Sequence, residues 1–273
     1  MDRLSINEVT TYRWSFEDDV VNYRAAGIPA IGVWRQKVTD FGDEKAIELL
    51  TESGLKVSSL LWAGGFTGSD GRSFRDSIAD GAEALRLAGA LRAPTLVVYS
   101  GARNGHTQKH VRRLFANGLI QLLPLAEELN VTMVVEPMHP LFAGDCTYLT
   151  SLEETCDLVS TVGSPLVKLV FDTYHFGYAS DVQDELRRIA PQIGLVHLAD
   201  AAGPPAGEQN RLPLGEGILP LSEIVATLAD CGYQGFFDVE LFGESIEGID
   251  YHKLVADTRQ AASQLFSPAS VTA

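Results

Sequence analysis

Four ionisable residues each come at the end of a short apolar stretch in the second half of the chain. They are Glu136, Asp172, His197 and Glu240. A charged side chain is costly to bury unless it is paired. Three carboxylates brought together would repel one another, and a divalent cation relieves that repulsion. Two glutamates, one aspartate and one histidine suit Mn2+, Mg2+, Co2+ or Zn2+, so we expect one divalent metal ion and favour Mn2+.

Strands and helices that could position these residues alternate along the chain. Apolar, β-branched stretches predict strands, and apolar residues at spacings of three and four predict helices between them. The predicted strands are 4–9, 28–34, 56–62, 95–100, 131–136, 167–172, 194–198 and 236–241, and the predicted helices lie near 17–26, 43–53, 73–90, 107–129, 151–161, 181–190, 221–231 and 250–266. Several strands are apolar almost throughout, which is typical of parallel strands covered on both faces.

Eight such units in 273 residues predict an α/β fold, a (β/α)8 TIM barrel, as a single domain over 1–273 with a loose tail at 267–273. The alternative is a doubly wound open sheet, but the chain has no glycine-rich dinucleotide turn. A barrel places the carboxyl ends of all its strands at one face. The four residues end strands five to eight, and we therefore expect them to converge.

Side-chain alternation places two more charged residues inside the barrel. If Asp172 points inward, so does Lys168, and if Glu240 points inward, so does Asp238. We expect Lys168 and Asp238 to form a buried charge pair or network below the metal, with a structural role.

Further residues at the same rim are candidates for holding a polyol. Histidine and arginine side chains donate hydrogen bonds to hydroxyl and carbonyl oxygens, and indole rings form apolar walls against sugars. The candidate substrate-binding residues are His139, His175, Arg211, Trp34 and Trp62. For the histidines and Arg211 the alternative is a local backbone contact, and for the two tryptophans it is plain core packing.

The loop 63–71 is rich in glycine but lacks the Gly-Lys-Ser/Thr sequence of a phosphate-binding loop. We interpret it as a mobile lid that carries Phe66. Arginines near the mouth could still bind an anion, namely Arg35, Arg72, Arg103 and Arg211. We nevertheless favour a sugar or cyclitol without a phosphate.

The composition limits the classes of partner that the protein is expected to bind and the cellular compartment in which it is expected to work. Asp plus Glu is 36 against 21 for Lys plus Arg, and the net charge of −15 makes nucleic acid and anionic membranes poor partners. Three cysteines without CxxC spacing argue against a disulfide framework. The start of the chain shows no signal peptide and no stretch is apolar enough to span a membrane. We expect a cytoplasmic protein.

Six short motifs carry the strand-end residues and their neighbours. They are Asn7-Glu-Val-Thr-Thr11, Glu136-Pro-Met-His-Pro140, Phe171-Asp-Thr-Tyr-His-Phe176, Val196-His-Leu-Ala-Asp200, Arg211-Leu-Pro-Leu-Gly-Glu-Gly217 and Asp238-Val-Glu-Leu-Phe242. Together they resemble the xylose-isomerase-like TIM-barrel superfamily, and within it the sugar phosphate isomerase/epimerase group, with inosose isomerase and ketose 3-epimerases as relatives. The resemblance covers about residues 4–266.

This resemblance implies roles for individual residues. Glu136, Asp172, His197 and Glu240 would bind one divalent metal ion, and the two glutamates would also act as acid and base. His175 and Arg211 match positions that hold substrate oxygens, and His139 matches a histidine present in only some branches. Relatives are often dimers or tetramers, so the resemblance is compatible with a homo-oligomer, although the sequence does not reveal the oligomeric state.

The predicted function is a divalent-metal-dependent isomerase or epimerase of a keto-sugar or cyclitol such as an inosose, acting by proton transfer through an enediolate. The alternative is a lyase or dehydratase that uses the same site on a keto-sugar or an oxidised glycoside. An endonuclease of abasic DNA and a non-catalytic sugar-binding barrel are less favoured, the first because of the negative net charge.

Overall fold

The computed structural model describes residues 1–144 and 146–266. Eight parallel strands pair in sequence order, and the last pairs with the first, so the barrel is closed. The predicted (β/α)8 TIM barrel is confirmed, while the expected loose tail at 267–273 lies outside the described residues. The strands are β1 (Leu4–Asn7), β2 (Ala30–Trp34), β3 (Lys56–Gly64), β4 (Thr95–Tyr99), β5 (Thr132–Val135), β6 (Val167–Asp172), β7 (Ile193–Leu198) and β8 (Phe237–Val239).

The helices cover the outside of the barrel. They are α1 (Phe16–Ala25), α2 (Arg35–Phe41), α3 (Asp43–Ser53), α4 (Phe74–Ala90), α5 (Gln108–Leu129), α6 (Leu152–Val162), α7 (Thr173–Phe176), α8 (Val182–Ile189), α9 (Leu221–Asp230), α10 (Glu244–Glu247) and α11 (Tyr251–Leu265). Each long helix matches a predicted one, whereas α2, α7 and α10 are short and were not predicted. In the described part of the chain, no helix is both long and apolar enough to cross a membrane.

Two apolar layers hold the fold together. The larger layer lies between the strands and the helices, and a small cluster fills the barrel interior. Burial of such side chains contributes roughly 25 cal/mol per Å² of apolar surface. The interior cluster leaves the carboxyl-terminal end of the barrel free for polar side chains, and it comprises Leu61, Val97, Val134, Val170 and Leu195.

The expected pair between Lys168 and Asp238 does not form, and that prediction was wrong. Lys168 is half-buried, and its Nζ donates to the carbonyl oxygen of Pro191 at 3.2 Å. Asp238 instead accepts from Ser5 Oγ, from Asn7 Nδ2 at 3.1 Å and from Ser59 Oγ at 3.1 Å. The long lysine side chain reaches past the bottom of the barrel toward water, as lysine side chains commonly do.

Phe66 is a core residue and not the tip of a lid, so the lid interpretation of loop 63–71 was wrong. Its side chain is 1% exposed and packs against the rings of Phe74 and Phe115. The ring lies over Gly118 of α5, where an added Cβ would come within 2.6 Å of Phe66 Cδ1. The absence of a side chain at Gly118 therefore makes room for Phe66, which anchors the loop.

Candidate active site

The strand ends bring together the four residues singled out in the sequence. Glu136 follows β5, Asp172 ends β6, His197 lies near the end of β7 and Glu240 follows β8. Asp172 and His197 are register partners in the sheet. All four side chains are buried, and one candidate ligand atom from each lies within 4.8 Å of the others. We call these residues the carboxylate cluster.

The imidazole of His197 faces all three carboxylates. Its Nδ1 lies 3.1 Å from Glu136 Oε1, 3.5 Å from Glu240 Oε2 and 3.9 Å from Asp172 Oδ2. Burial lowers the pKa of His197, but the charges of Glu240, Glu136 and Asp172 outweigh burial and raise this pKa to about 10. The ring is therefore a cation at neutral pH when the carboxylates have no other cation beside them.

Arg211 provides a second positive charge at the edge of the cluster. Its Nη1 lies 2.8 Å from Asp172 Oδ2 and 3.1 Å from Glu240 Oε2, and the residue is 1% exposed. The guanidinium carbon lies 5.0 Å from the ring centroid of Tyr174 and 4.6 Å from that of Phe242. These two cation–π contacts restrict its orientation. Arg211 therefore orients the acidic groups and also lines the space above them.

The carboxylates of Asp172 and Glu240 differ in acidity. Burial raises the pKa of Asp172, but Arg211, His175 and His197 outweigh burial and hold this pKa below its ordinary value. Burial raises the pKa of Glu240 to about 7, against the opposing charges of His197 and Arg211. A carboxyl with a pKa close to ambient pH is suited to accept and return a proton. Without a metal ion in the cluster, Glu240 is therefore protonated more readily than Asp172.

Two observations agree with a divalent cation in the carboxylate cluster. Glu136 Oε2 is buried within the cluster and has no hydrogen-bond partner among the described residues. The three negative charges also exceed the single permanent positive charge of Arg211, and a dication beside a neutral imidazole would balance them. The donor set of three carboxylates and one imidazole matches the preferences of Mn2+, Mg2+, Co2+ and Zn2+.

A cavity of about 410 Å³ opens above the cluster. Its polar lining includes Glu136, Glu240, His175 and Arg211, and its apolar lining includes Val9, Leu61, Trp62, Met138 and Phe242. A mostly apolar wall with a few converging polar groups is typical of a small-molecule site.

His175 is presented to this cavity by its neighbour in the cluster. Asp172 Oδ1 accepts from the backbone N–H groups of Tyr174 and His175 at 2.7 and 3.3 Å, and so caps the short helix α7. Burial lowers the pKa of His175 to about 4. Both ring nitrogens are buried without a hydrogen-bond partner in the described structure. The neutral ring can therefore donate to one substrate oxygen and accept from another.

The remaining predicted substrate residues divide into two groups. Trp62 lines the cavity and is 43% exposed. Trp34 stacks on Trp62, with ring centroids 6.3 Å apart and planes at 20°, but it does not line this cavity. His139 lies outside it as well, where its ring contacts Phe142 and Tyr178. In its place Met138, the preceding residue, faces the cavity.

Sequence reasoning missed several residues of the site. Tyr99, Met138 and Phe242 line the cavity, but in the sequence they are ordinary apolar positions and carry no signal. Glu8 directly follows β1 as Glu136 follows β5, but it neither lines the cavity nor belongs to the carboxylate cluster. Glu8 is fully buried, and its Oε2 accepts from the backbone N–H of Trp34 at 2.7 Å.

The sequence matches the family described as xylose isomerase-like TIM barrel over residues 21–265. Among curated proteins, a D-psicose 3-epimerase of Enterocloster bolteae is 34% identical over 125 residues, which cover 45% of this chain and 38% of that protein. An inosose isomerase of Bacillus licheniformis is 31% identical over 144 residues, 51% of this chain and 48% of that protein. The chain thus matches half or less of the length of these two relatives.

Solved structures share the fold over nearly the whole chain. A protein from Sinorhizobium meliloti 1021 superposes with a TM-score of 0.87 at 26% identity, and the match covers 96% of this chain and 98% of that one. The IOLI protein, crystallised with a bound zinc atom, superposes with a TM-score of 0.83 at 19% identity, over 96% of this chain and 97% of that one.

Proposed function

Because the chain belongs to the xylose isomerase-like TIM barrel family, we propose that it is a divalent-metal-dependent isomerase or epimerase of a keto-sugar or cyclitol. The relatives named D-psicose 3-epimerase and inosose isomerase support this reaction class. The observation that carries the proposal is the carboxylate cluster, in which four buried candidate ligand atoms from adjacent strands lie within 4.8 Å of one another.

Glu136, Asp172, His197 and Glu240 would hold one divalent ion, with Mn2+ favoured. The zinc atom of the IOLI structure supports the general idea that such a barrel can bind a divalent metal. When bound, the ion would supply a Lewis acid that stabilises negative charge on the substrate's carbonyl oxygen as the neighbouring C–H proton leaves.

Glu136 and Glu240 would transfer the proton. They follow β5 and β8, on either side of His197, and both line the cavity. One carboxylate would remove a proton from the carbon next to the carbonyl, and the other would return a proton. Return to the opposite face of the same carbon gives an epimer, whereas return to the neighbouring carbon gives the isomer.

His175 and Arg211 would orient the substrate. The neutral imidazole of His175 has both nitrogens available to substrate hydroxyls. Arg211 has its Nε buried without a partner among the described residues, while its Nη1 is engaged by Asp172 and Glu240. The Nε–H can therefore donate to a substrate oxygen without disturbing the cluster. Orienting groups of this kind keep the reacting carbon within reach of the two glutamates.

We further propose that the substrate carries no phosphate. The two arginines that line the cavity are Arg72 and Arg211, and carboxylates already engage both. Arg72 Nη1 lies 2.8 Å from Asp80 Oδ2, and its Nε donates to Asp70 Oδ2 at 2.7 Å. A phosphate dianion would meet a carboxylate beside each guanidinium, and like charges in contact are unfavourable.

Proton exchange with heavy water tests the proposal. The protein is incubated with Mn2+ in D2O together with free ketoses, ketose phosphates and inososes, the metal is chelated, and the products are analysed by NMR. We expect deuterium at a carbon next to the carbonyl of an uncharged substrate, and no exchange with the E240Q variant. Release of water would identify the dehydratase alternative, and absence of exchange throughout the panel would refute the proposal.

A further inference from the structure

Trp62 stands between the active-site cavity and a second cavity. The second cavity has a volume of about 430 Å³. Leu61, Trp62, Gly64 and Arg72 line both cavities, so the two adjoin. The rest of the second cavity comes from β2, α2 and α4, and its other lining residues are Trp34, Arg35, Gln36, Thr39 and Asp80.

The indole of Trp62 is held in place although much of it is exposed. Trp34 stacks on it at a centroid distance of 6.3 Å, and Tyr99 contacts it at 5.8 Å with a 57° angle between the rings. Nevertheless 43% of Trp62 is exposed. Exposed apolar surface forgoes the stabilisation that its burial would give. A fixed aromatic surface at a cavity wall is a platform for the C–H face of a sugar ring, which buries apolar carbons while its hydroxyl groups stay at the edge.

The walls beyond Trp62 are polar but nearly neutral in charge. Asp80 bridges two guanidinium groups, with Arg35 Nη1 at 2.7 Å and Arg72 Nη1 at 2.8 Å, and Asp70 Oδ2 lies 2.7 Å from Arg72 Nη2, so two carboxylates balance the two arginines. These four side chains are between 22% and 38% exposed, so their remaining donors and acceptors face water. Because the charges are paired, the walls favour hydroxyl groups over a strong anion.

We propose that the second cavity binds a second sugar ring, a glycosyl group attached to the keto-sugar and stacked on Trp62. The proposal rests on the proposed function, because it assumes that the keto-sugar lies at the carboxylate cluster. An apolar aryl group would also stack on the indole, but it would displace water from the remaining hydrogen-bonding groups of Arg35, Gln36 and Asp80 without replacing those hydrogen bonds. A sugar ring satisfies both the platform and the polar walls.

Ligand binding to the Mn2+-loaded protein tests the subsite without requiring turnover. The probes are fructose, two ketose disaccharides (isomaltulose and lactulose) and 4-nitrophenyl β-glucoside, measured by calorimetry and by saturation-transfer NMR. We expect at least one disaccharide to bind about 5- to 10-fold more tightly than fructose, with saturation reaching its second ring. The W62A variant should lose this gain, and W62F should retain part of it.

The matched control is Y12A, because Tyr12 is also an exposed aromatic, at 40%, and lines neither cavity. Equal affinities of the wild-type protein for fructose and both disaccharides would overturn the proposal, and this comparison needs no variant. The proposal would also be overturned if W62A lost the same affinity for fructose as for the disaccharides. A gain in affinity confined to the nitrophenyl glycoside would overturn it as well.

The two proposals fail in different ways. Deuterium exchange into fructose without any gain from a glycosyl group would leave the proposed function intact and remove the subsite. Binding of a disaccharide through Trp62 without exchange into any ketose would keep the subsite and remove the isomerase or epimerase activity.

Discussion

Arg211 Nη1 and Asp172 Oδ2 lie 2.8 Å apart, and neither side chain is more than 1% exposed. The same nitrogen lies 3.1 Å from Glu240 Oε2, so one guanidinium joins two of the proposed metal ligands. Buried carboxylates without a countercharge are strongly destabilising. Arg211 therefore stabilises the buried carboxylates of the site.

Replacing Arg211 should show how far the stability of the protein depends on this guanidinium. We expect R211L to lower the free energy of unfolding by about 3–5 kcal/mol in the presence of a chelator, because it strands a buried charge. Added Mn2+ should restore part of the loss, since a dication offsets the same carboxylates. Urea denaturation with and without Mn2+ measures both effects.

The control is R187L, which removes an exposed arginine whose partner Asp184 is 85% exposed. Such surface pairs contribute about 0–1 kcal/mol. An R211L protein as stable as R187L in chelator would contradict the assignment.

Metal binding should release a proton from His197. The surrounding carboxylates raise its pKa to about 10, so the ring is protonated below that pH and must lose its proton before Nδ1 can bind a cation. Around neutral pH the apparent affinity for Mn2+ should therefore rise about tenfold per pH unit for this one proton. Calorimetry in two buffers of different ionisation enthalpy measures the number of protons released. A value near zero for the wild-type protein, or no decrease in H197Q, would contradict the prediction.

Kinetic measurements should distinguish Glu136 and Glu240, which are proposed to transfer the proton, from the two proposed ligands that bind only the metal. We expect E136Q and E240Q each to lower kcat by about 10²- to 10⁴-fold, because general acid–base catalysis contributes that much. The rate of deuterium exchange reports the loss, and calorimetry reports any accompanying change in Mn2+ affinity. E223Q, at an exposed position on α9, is the control and should match the wild-type protein. Exchange at the wild-type rate in either site variant would exclude that glutamate.

Asp238 should be a stability determinant below the site. D238A would strand Ser5, Asn7 and Ser59, whose donors all bond to this carboxylate. Each stranded buried donor costs about 1–3 kcal/mol, so we expect a loss of at least about 3 kcal/mol. Urea denaturation measures it, with the exposed Asp230 as the control in D230A. A loss below about 1 kcal/mol would show that water replaces the carboxylate.

The sequence predicted the barrel and the convergence of Glu136, Asp172, His197 and Glu240 for one physical reason. A charged residue at the end of a strand buried on both faces is costly unless it is paired or binds an ion. Parallel strands of a barrel bring such ends together at one face. The pairing of Arg211 was not predictable, because it depends on how the loop after β7 packs against Tyr174 and Phe242.

Two errors also have physical causes. Alternation correctly indicated an inward direction for Lys168, but it does not give the depth along the barrel at which a long side chain ends. Glycine content suggested a mobile loop around Phe66, yet mobility depends on long-range packing. The pocket over Gly118 involves residues about fifty positions away in the sequence.

The carboxylate cluster comes entirely from β5 to β8, whereas the indole platform and the second cavity come from β2, β3 and the segments that follow them. On the function and the subsite proposed above, one half of the barrel would carry the reactive groups and the other half would bind the glycosyl group. Exchanging residues 34–72 with those of another barrel of this kind would change which sugars bind, and it would leave every residue of the carboxylate cluster in place.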